Sequence, residues 1–118
     1  MEKIIALLFM SRTMAHMAHL KTTGEGSFAK HMALDGFYNG IVDLADGLAE
    51  AYQGKYGIIE IEFMDEKGDI NDPVAMLETH LNMFTNLSKR MEDRYIQNLL
   101  DGVTELYYST LYKLKNLE

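Results

Sequence analysis

Apolar residues recur at helical spacing in four stretches of the chain. In the second stretch, five of them follow one another at alternating intervals of three and four residues, which places them on one face of a helix: Leu34, Phe37, Ile41, Leu44 and Leu48. The same analysis predicts four helices, over residues 1 to about 22, Phe28–Gln53, Pro73 to about Lys89, and about Glu92 to Leu117.

Glycine, serine and proline mark the predicted helix boundaries. Gly24 and Gly26 end the first helix, because glycine readily takes the backbone angles that stop a helix. Ser27 is the predicted N-cap of the second helix. Asp72 followed by Pro73 predicts the start of the third, with an aspartate cap and a proline in the first helical position.

Residues 54–72 connect the second and third helices and are too long for a simple hairpin loop. The letters IIEIEF within this segment alternate between apolar and polar, which predicts a short extended piece. A connection of this length suits a crossover that runs along a bundle. The sequence therefore predicts an all-α fold: one ferritin-like four-helix bundle over residues 1–118, with a long crossover between helices 2 and 3.

The amino-acid composition argues against several kinds of site and partner. Cysteine is absent, so disulfides and thiolate metal sites are excluded, and any metal would be held by carboxylates and imidazoles, which suit iron, manganese or zinc. The net charge of −7, from 11 Lys+Arg against 18 Asp+Glu, disfavours nucleic acid as a partner. No run of about 18 apolar residues is present to span a membrane. We expect a soluble cytoplasmic protein.

The outer face of the second helix carries four chemically active side chains. At roughly 100° per residue, with His31 at zero, Asp35 lies at about 40°, Asp46 at about 60° and Glu50 at about 100°. The apolar stripe centres near 260° by the same count, so these residues share a face away from the core. His31 and Asp46 are separated by roughly 22 Å along the axis, too far to bind one metal ion.

Two explanations fit this face. The first is a solvated surface with two unrelated pairs at i,i+4 spacing. The second is a dimer in which another copy of the helix lies antiparallel across the face, with a two-fold axis near residues 40 and 41. His31 and Asp35 of one chain would then lie opposite Asp46 and Glu50 of the other. His19 is level with His31, since each lies five residues from the glycine turn at 24–26.

The intervals between these residues resemble a known pattern. His31 lies twelve residues after His19, and Asp35 lies four residues after His31. Asp46 follows Asp35 by eleven residues, and Glu50 follows Asp46 by four. Together with LDGF at 34–37 and LAD…AE at 44–50, residues 19–50 resemble the ferroxidase segment of the Dps-type miniferritins, the DNA-binding proteins from starved cells, in the ferritin-like superfamily.

The resemblance implies an iron-binding ferroxidase. These five residues would be both the catalytic residues and the metal ligands, with His19, His31 and Asp35 from one subunit and Asp46 and Glu50 from its partner. Iron would be oxidised from Fe(II) to Fe(III) by hydrogen peroxide or dioxygen and stored, with zinc or manganese as other occupants. The expected partner is another copy of the chain, in a two-fold dimer or a cage of twelve subunits.

The chain departs from the resembling family in two respects. The family commonly has tryptophan directly after the first histidine, where this chain has Leu20, and its radical-trapping role would pass to Tyr38. A lysine-rich terminal tail for DNA is missing, as only Lys3 lies near the N-terminus. The alternative function is a non-catalytic assembly protein of the same fold, with a structural metal at the dimer interface.

Overall fold

Four helices make up most of the chain in the computed structural model, which describes all of residues 1–118. They are α1 (Glu2–Lys21), α2 (Ser27–Tyr56), α3 (Pro73–Ser88) and α4 (Arg94–Asn116). The predicted all-α four-helix bundle is confirmed, and each predicted boundary lies within three residues of the observed one. None of these helices combines the length and the apolar character needed to cross a membrane.

Each helix packs against two others. α1 contacts α2 and α3, and α4 contacts the same two helices, so α1 and α4 lie on one diagonal of the bundle and α2 and α3 on the other. Lys55 near the end of α2 pairs with Asp93 at the start of α4, and Phe37 packs against Tyr107, so these two helices are antiparallel. The core between the four helices is apolar and includes Phe37, Ile41, Leu77, Phe84 and Val103, all fully buried.

The segment 57–72 is the predicted long crossover. α4 begins beside the end of α2, and α3 ends where α4 begins, so α3 must start at the opposite end of the bundle. Sixteen residues in an extended conformation reach about 53 Å, which is enough to cover the 47 Å length of the molecule. This single long crossover gives the connectivity of ferritin-like bundles.

Two local predictions need correction. The N-cap of α2 is Gly26, not Ser27, and no side chain caps this end. Gly26 has φ +74°, a left-handed conformation that glycine adopts readily, so the turn itself determines where the helix begins. The IIEIEF segment forms no strand, because no second strand lies beside it to complete a hydrogen-bonded ladder. By contrast, Asp72 caps α3 as predicted, accepting a hydrogen bond from the backbone N–H of Ala75.

A chain of polar side chains crosses the apolar core. The Tyr107 hydroxyl donates to Ser11 Oγ at 2.7 Å, which bridges the α1–α4 diagonal, and Ser11 Oγ lies 2.8 Å from His80 Nδ1. His80 Nε2 donates to the carbonyl oxygen of Lys67 in the crossover at 2.7 Å. Ser11, His80 and Tyr107 are fully buried. The network therefore satisfies its polar groups internally and fastens the crossover to the bundle.

These hydrogen bonds also define the protonation of the network. A carbonyl oxygen only accepts, so the proton of neutral His80 lies on Nε2 and its Nδ1 accepts from Ser11. Burial lowers the pKa of His80, partly offset by the hydrogen bond to Lys67. Burial also raises the pKa of the Tyr107 hydroxyl, which keeps it protonated as a donor.

Candidate metal site

The two histidines at the turn between α1 and α2 lie against each other. The ring centroids of His19 and His31 are 3.6 Å apart, and the rings stack at 27° to each other. His19 is buried and His31 is half-buried. The glycine turn at 24–26 therefore brings these two residues to the same level, as the sequence predicted.

Each of these histidines is held by the backbone of the other. His19 Nδ1 lies 2.9 Å from the carbonyl oxygen of His31, and His31 Nδ1 lies 3.3 Å from the carbonyl oxygen of His19. Since a carbonyl oxygen only accepts hydrogen bonds, both Nδ1 atoms carry a proton. In the neutral form each ring then has its lone pair on Nε2. Metal-bound histidines commonly have this arrangement, with one nitrogen anchored by a backbone carbonyl and the other on the metal.

Asp35 lies one turn further along α2 and is held by Tyr38. The Tyr38 hydroxyl donates a 2.9 Å hydrogen bond to Asp35 Oδ1, and this bond to a carboxylate raises the pKa of Tyr38. The Tyr38 ring stacks on His16 at 4.0 Å and meets the edge of the His19 ring at 5.3 Å. Tyr38 thus connects the carboxylate to the imidazoles.

His16 belongs to this cluster although its spacing does not match the five-residue pattern. Its ring lies 5.9 Å from that of His19, in an edge-on arrangement, and its side chain is exposed. The sequence signal is its position three residues before His19, which puts both on neighbouring parts of one helix face. Its exposure is that of a surface residue, and its stacking on Tyr38 could not be predicted from the spacing.

Asp46 and Glu50 lie apart from the histidines. Both are exposed on α2, and none of the three ion pairs of the chain involves either of them. Within one chain, no three His, Asp or Glu side chains are grouped so that they could hold a metal ion. A single subunit therefore brings together the imidazole pair, and the meeting of all five predicted ligands stays a prediction that requires a second copy.

The face of α2 that carries these carboxylates also exposes large apolar side chains. Phe28 is 75% and Met32 is 50% exposed. On the helical wheel they lie at about 60° and 100°, the same sector as Asp46 and Glu50. A Cβ added at Gly36 or Gly47 would meet nothing within 4 Å, and on the same wheel these glycines lie at about 140° and 160°, at the edge of this face.

Comparison with known proteins identifies one family. The model of a family described as "Family of unknown function (DUF5856)" matches residues 19–114. The chain is similar to a protein of Enterobacteria phage T4, "Uncharacterized 14.6 kDa protein in mobD-ri intergenic region", with 26% identity over 114 residues. The alignment covers 96% of this chain and 86% of the phage protein. No solved structure was found to match the chain.

The predicted membership of the Dps-type miniferritins is wrong. The family match spans most of the chain, including all five candidate ligands, and it is to a different family. Neither its description nor the name of the phage protein mentions iron, ferritin or storage. The resemblance depended on five polar residues and two short motifs within residues 19–50, and intervals of four and eleven arise on any helix whose polar groups share a face. Such spacing indicates a shared surface rather than common ancestry.

Proposed function

The chain belongs to the DUF5856 family, and from the geometry of its histidine pair we propose that it is a homodimeric metal-binding protein that oxidises Fe(II) at sites shared by two subunits. Each site takes His19, His31 and Asp35 from one subunit and Asp46 and Glu50 from the partner. Fe(II) is the substrate, and zinc or manganese are competing occupants. Iron detoxification or storage is the role that this activity would serve.

The observation that carries the proposal is the anchoring of both imidazoles through Nδ1. Two backbone carbonyls hold His19 and His31 in the tautomer that leaves Nε2 free. A pair of neutral imidazoles with a neighbouring carboxylate is the ligand set typical of non-haem Fe(II) sites. Within one subunit Asp35 is not grouped with the two histidines as a three-ligand site, so the ligand set would be completed only when the partner subunit approaches.

The positions of the four α2 ligands support a two-fold dimer. His31 and Glu50 are equally far from the point midway between residues 40 and 41, and so are Asp35 and Asp46. A two-fold axis at that point places each imidazole–carboxylate group opposite a carboxylate pair and creates two equivalent sites. The exposed Phe28 and Met32 on the same face give the dimer apolar surface to bury.

The reaction transfers one electron from each iron. Two Fe(II) ions, one hydrogen peroxide molecule and two protons give two Fe(III) ions and two water molecules, so the O–O bond breaks as both irons are oxidised. Asp35, Asp46 and Glu50 would favour the ferric product, because carboxylate oxygens are hard ligands. Dioxygen is the alternative oxidant.

A second candidate is a structural metal that only holds the dimer together. The burial of His19 favours it, since its side chain is 7% exposed and a closed site restricts access of an oxidant. In that case the metal raises the melting temperature and the association constant, and no ferric product forms. The two candidates share the same ligands and differ in turnover.

The test combines turnover with subunit mixing. Fe(II) is added without oxygen, peroxide follows, and ferric absorbance is recorded for the wild type, His31→Ala, Asp46→Ala and the control Asp101→Ala, which removes an exposed aspartate on α4. We expect oxidation in the wild type and the control and none in the other two. Light scattering determines whether the protein is a dimer or a larger assembly.

Mixing His31→Ala with Asp46→Ala tests the shared site directly. A mixed dimer contains one site in which both subunits contribute intact ligands. If subunits exchange freely, half of the dimers are mixed and about a quarter of the wild-type activity returns. Turnover that stays absent in a mixture shown by mass spectrometry to contain mixed dimers rules out the shared site. Metal-dependent dimerisation without turnover supports the structural candidate.

A further inference from the structure

A groove lies between α1 and the crossover, the segment 57–72. Its volume is about 680 Å³, within the size range of small-molecule sites. One wall is a helical stripe of α1 that includes Phe9, Met10, Met14 and Met17. The other is the crossover, with Ile61, Phe63 and Met64. The stripe from Ala6 to Met17 is about 16 Å long, so the groove is elongated.

The groove is apolar and adaptable. Methionine side chains are flexible and polarisable, and they accommodate ligands of varied shape. Phe63 is fully exposed, and Ile61 and Met17 are 40% and 45% exposed, so apolar surface at this groove faces water in the free chain. An apolar chain laid along the groove would cover this surface.

Arg12 supplies the polar group of the groove. Its side chain is half-buried, its guanidinium lies 5.9 Å from the centre of the Phe9 ring, and Nη2 donates to Thr13 Oγ1 at 3.4 Å. None of the three ion pairs of the chain involves Arg12. A guanidinium that is partly removed from water and lacks an anionic partner favours binding of a carboxylate.

Glu62 and Glu66 also line the groove, and their exposure bears on whether a ligand with a negative or a positive head group is favoured. Both are exposed, so their carboxylates are solvated, whereas Arg12 is half-buried beside apolar side chains. Neutralising the less solvated charge gains more free energy, because water already stabilises the exposed carboxylates. The groove therefore favours an anionic head group next to Arg12 over a cationic one next to the glutamates.

We propose that this groove binds the free anion of an aliphatic carboxylic acid. The hydrocarbon chain lies along the methionines of α1, and the carboxylate accepts hydrogen bonds from the Arg12 guanidinium. This site is separate from the histidine cluster and does not depend on the metal-binding proposal.

Calorimetric titration with dodecanoate below its micelle concentration tests the site. Dodecyltrimethylammonium, with the same chain length and the opposite charge, is titrated in parallel. Arg12→Gln is compared with Arg90→Gln, an exposed arginine outside the groove. Ile61→Asp is compared with Ile58→Asp, because Ile58 is 85% exposed on the same crossover and does not line the groove. Circular dichroism confirms that each variant keeps its helices.

We expect saturable binding of dodecanoate that weakens about ten-fold in Arg12→Gln and also in Ile61→Asp, with Arg90→Gln and Ile58→Asp close to the wild type. Tighter binding of the ammonium compound, equal effects of the two arginine variants, or no saturable binding would each overturn the proposal. Sedimentation with phosphatidylglycerol vesicles separates a lipid surface from the free acid. Arg12-dependent sedimentation without dodecanoate binding would identify a membrane surface instead and also overturn it.

Discussion

The Tyr38 hydroxyl donates a 2.9 Å hydrogen bond to Oδ1 of Asp35, three residues earlier on the same helix. The contact joins the aromatic cluster of His16 and His19 to a candidate metal ligand. A phenol that donates to a carboxylate is harder to ionise, because ionisation would put two negative charges side by side. The structure accordingly gives Tyr38 a pKa above the ordinary value of 10.0.

We predict that Asp35→Asn lowers the pKa of Tyr38 towards its ordinary value, because the neutral amide removes the charge that opposes ionisation. Carbon NMR of ring-labelled tyrosine, recorded against pH, measures this. Asp43→Asn is the matched control, since it removes an exposed carboxylate from the same helix without touching Tyr38. Equal Tyr38 titrations in the two variants would contradict the hydrogen bond.

The buried network gives an asymmetric prediction for Ser11 and Tyr107. Tyr107→Phe removes one donor and leaves Ser11 bonded to His80, so we expect a loss of about 1 kcal/mol in the free energy of unfolding. Ser11→Ala leaves both the Tyr107 hydroxyl and His80 Nδ1 buried without partners. Its expected loss is larger, about 2–5 kcal/mol.

The double variant separates this explanation from simple loss of packing. In the Ser11→Ala background the Tyr107 hydroxyl is already unpaired, so Tyr107→Phe removes a buried polar group that has no partner. We expect the double variant to be at least as stable as Ser11→Ala alone in urea unfolding followed by circular dichroism. Losses that simply add would mean that the network does not act as a unit.

His80 makes the stability depend on pH. Its folded-state pKa lies below the ordinary value of 6.5, mainly because burial disfavours the charged ring. As the pH falls below 6.5, the unfolded chain binds a proton that the folded chain does not. The free energy of unfolding therefore decreases from about pH 6.5 downwards, until the pH reaches the folded-state pKa.

The test compares urea unfolding of the wild type and His80→Gln at several pH values from about 7.5 down to the lowest pH at which both proteins are folded. This series passes through the ordinary histidine pKa of roughly 6.5. The variant loses buried hydrogen bonds and is less stable throughout. The informative quantity is the slope, which we expect to be shallower in the variant below pH 6.5. If the free energy of unfolding changes with pH in the same way in both proteins, His80 does not contribute to the pH dependence of stability.

The helices and their order could be predicted because apolar spacing and caps such as Asp72 act locally. The local choice between Gly26 and Ser27 as N-cap could not, since the turn geometry decided it. The IIEIEF alternation was misleading because a strand depends on a neighbour, and the bundle offers none.

The candidate site, like the fold, could be predicted only in part from the sequence. The contact of His19 with His31 followed from counting residues on each side of a short turn. The stacking of Tyr38 on His16 and the network through His80 could not be foreseen, because they depend on how separate helices face each other. The proposed roles of Asp46 and Glu50 require a second subunit, so neither the sequence nor the fold of one chain decides them.

Two glycines three residues apart should respond oppositely to alanine. Gly54 lies in the last turns of α2, where an added Cβ meets nothing within 4 Å, so Gly54→Ala should stabilise the fold by about 0.5–1 kcal/mol. Gly57 ends the helix with φ +101° and ψ 167°, a conformation essentially reserved for glycine. We expect Gly57→Ala to destabilise it by about 1–3 kcal/mol. Urea unfolding of both variants measures the two effects, and changes of the same sign would show that the turn into the crossover does not require this backbone conformation.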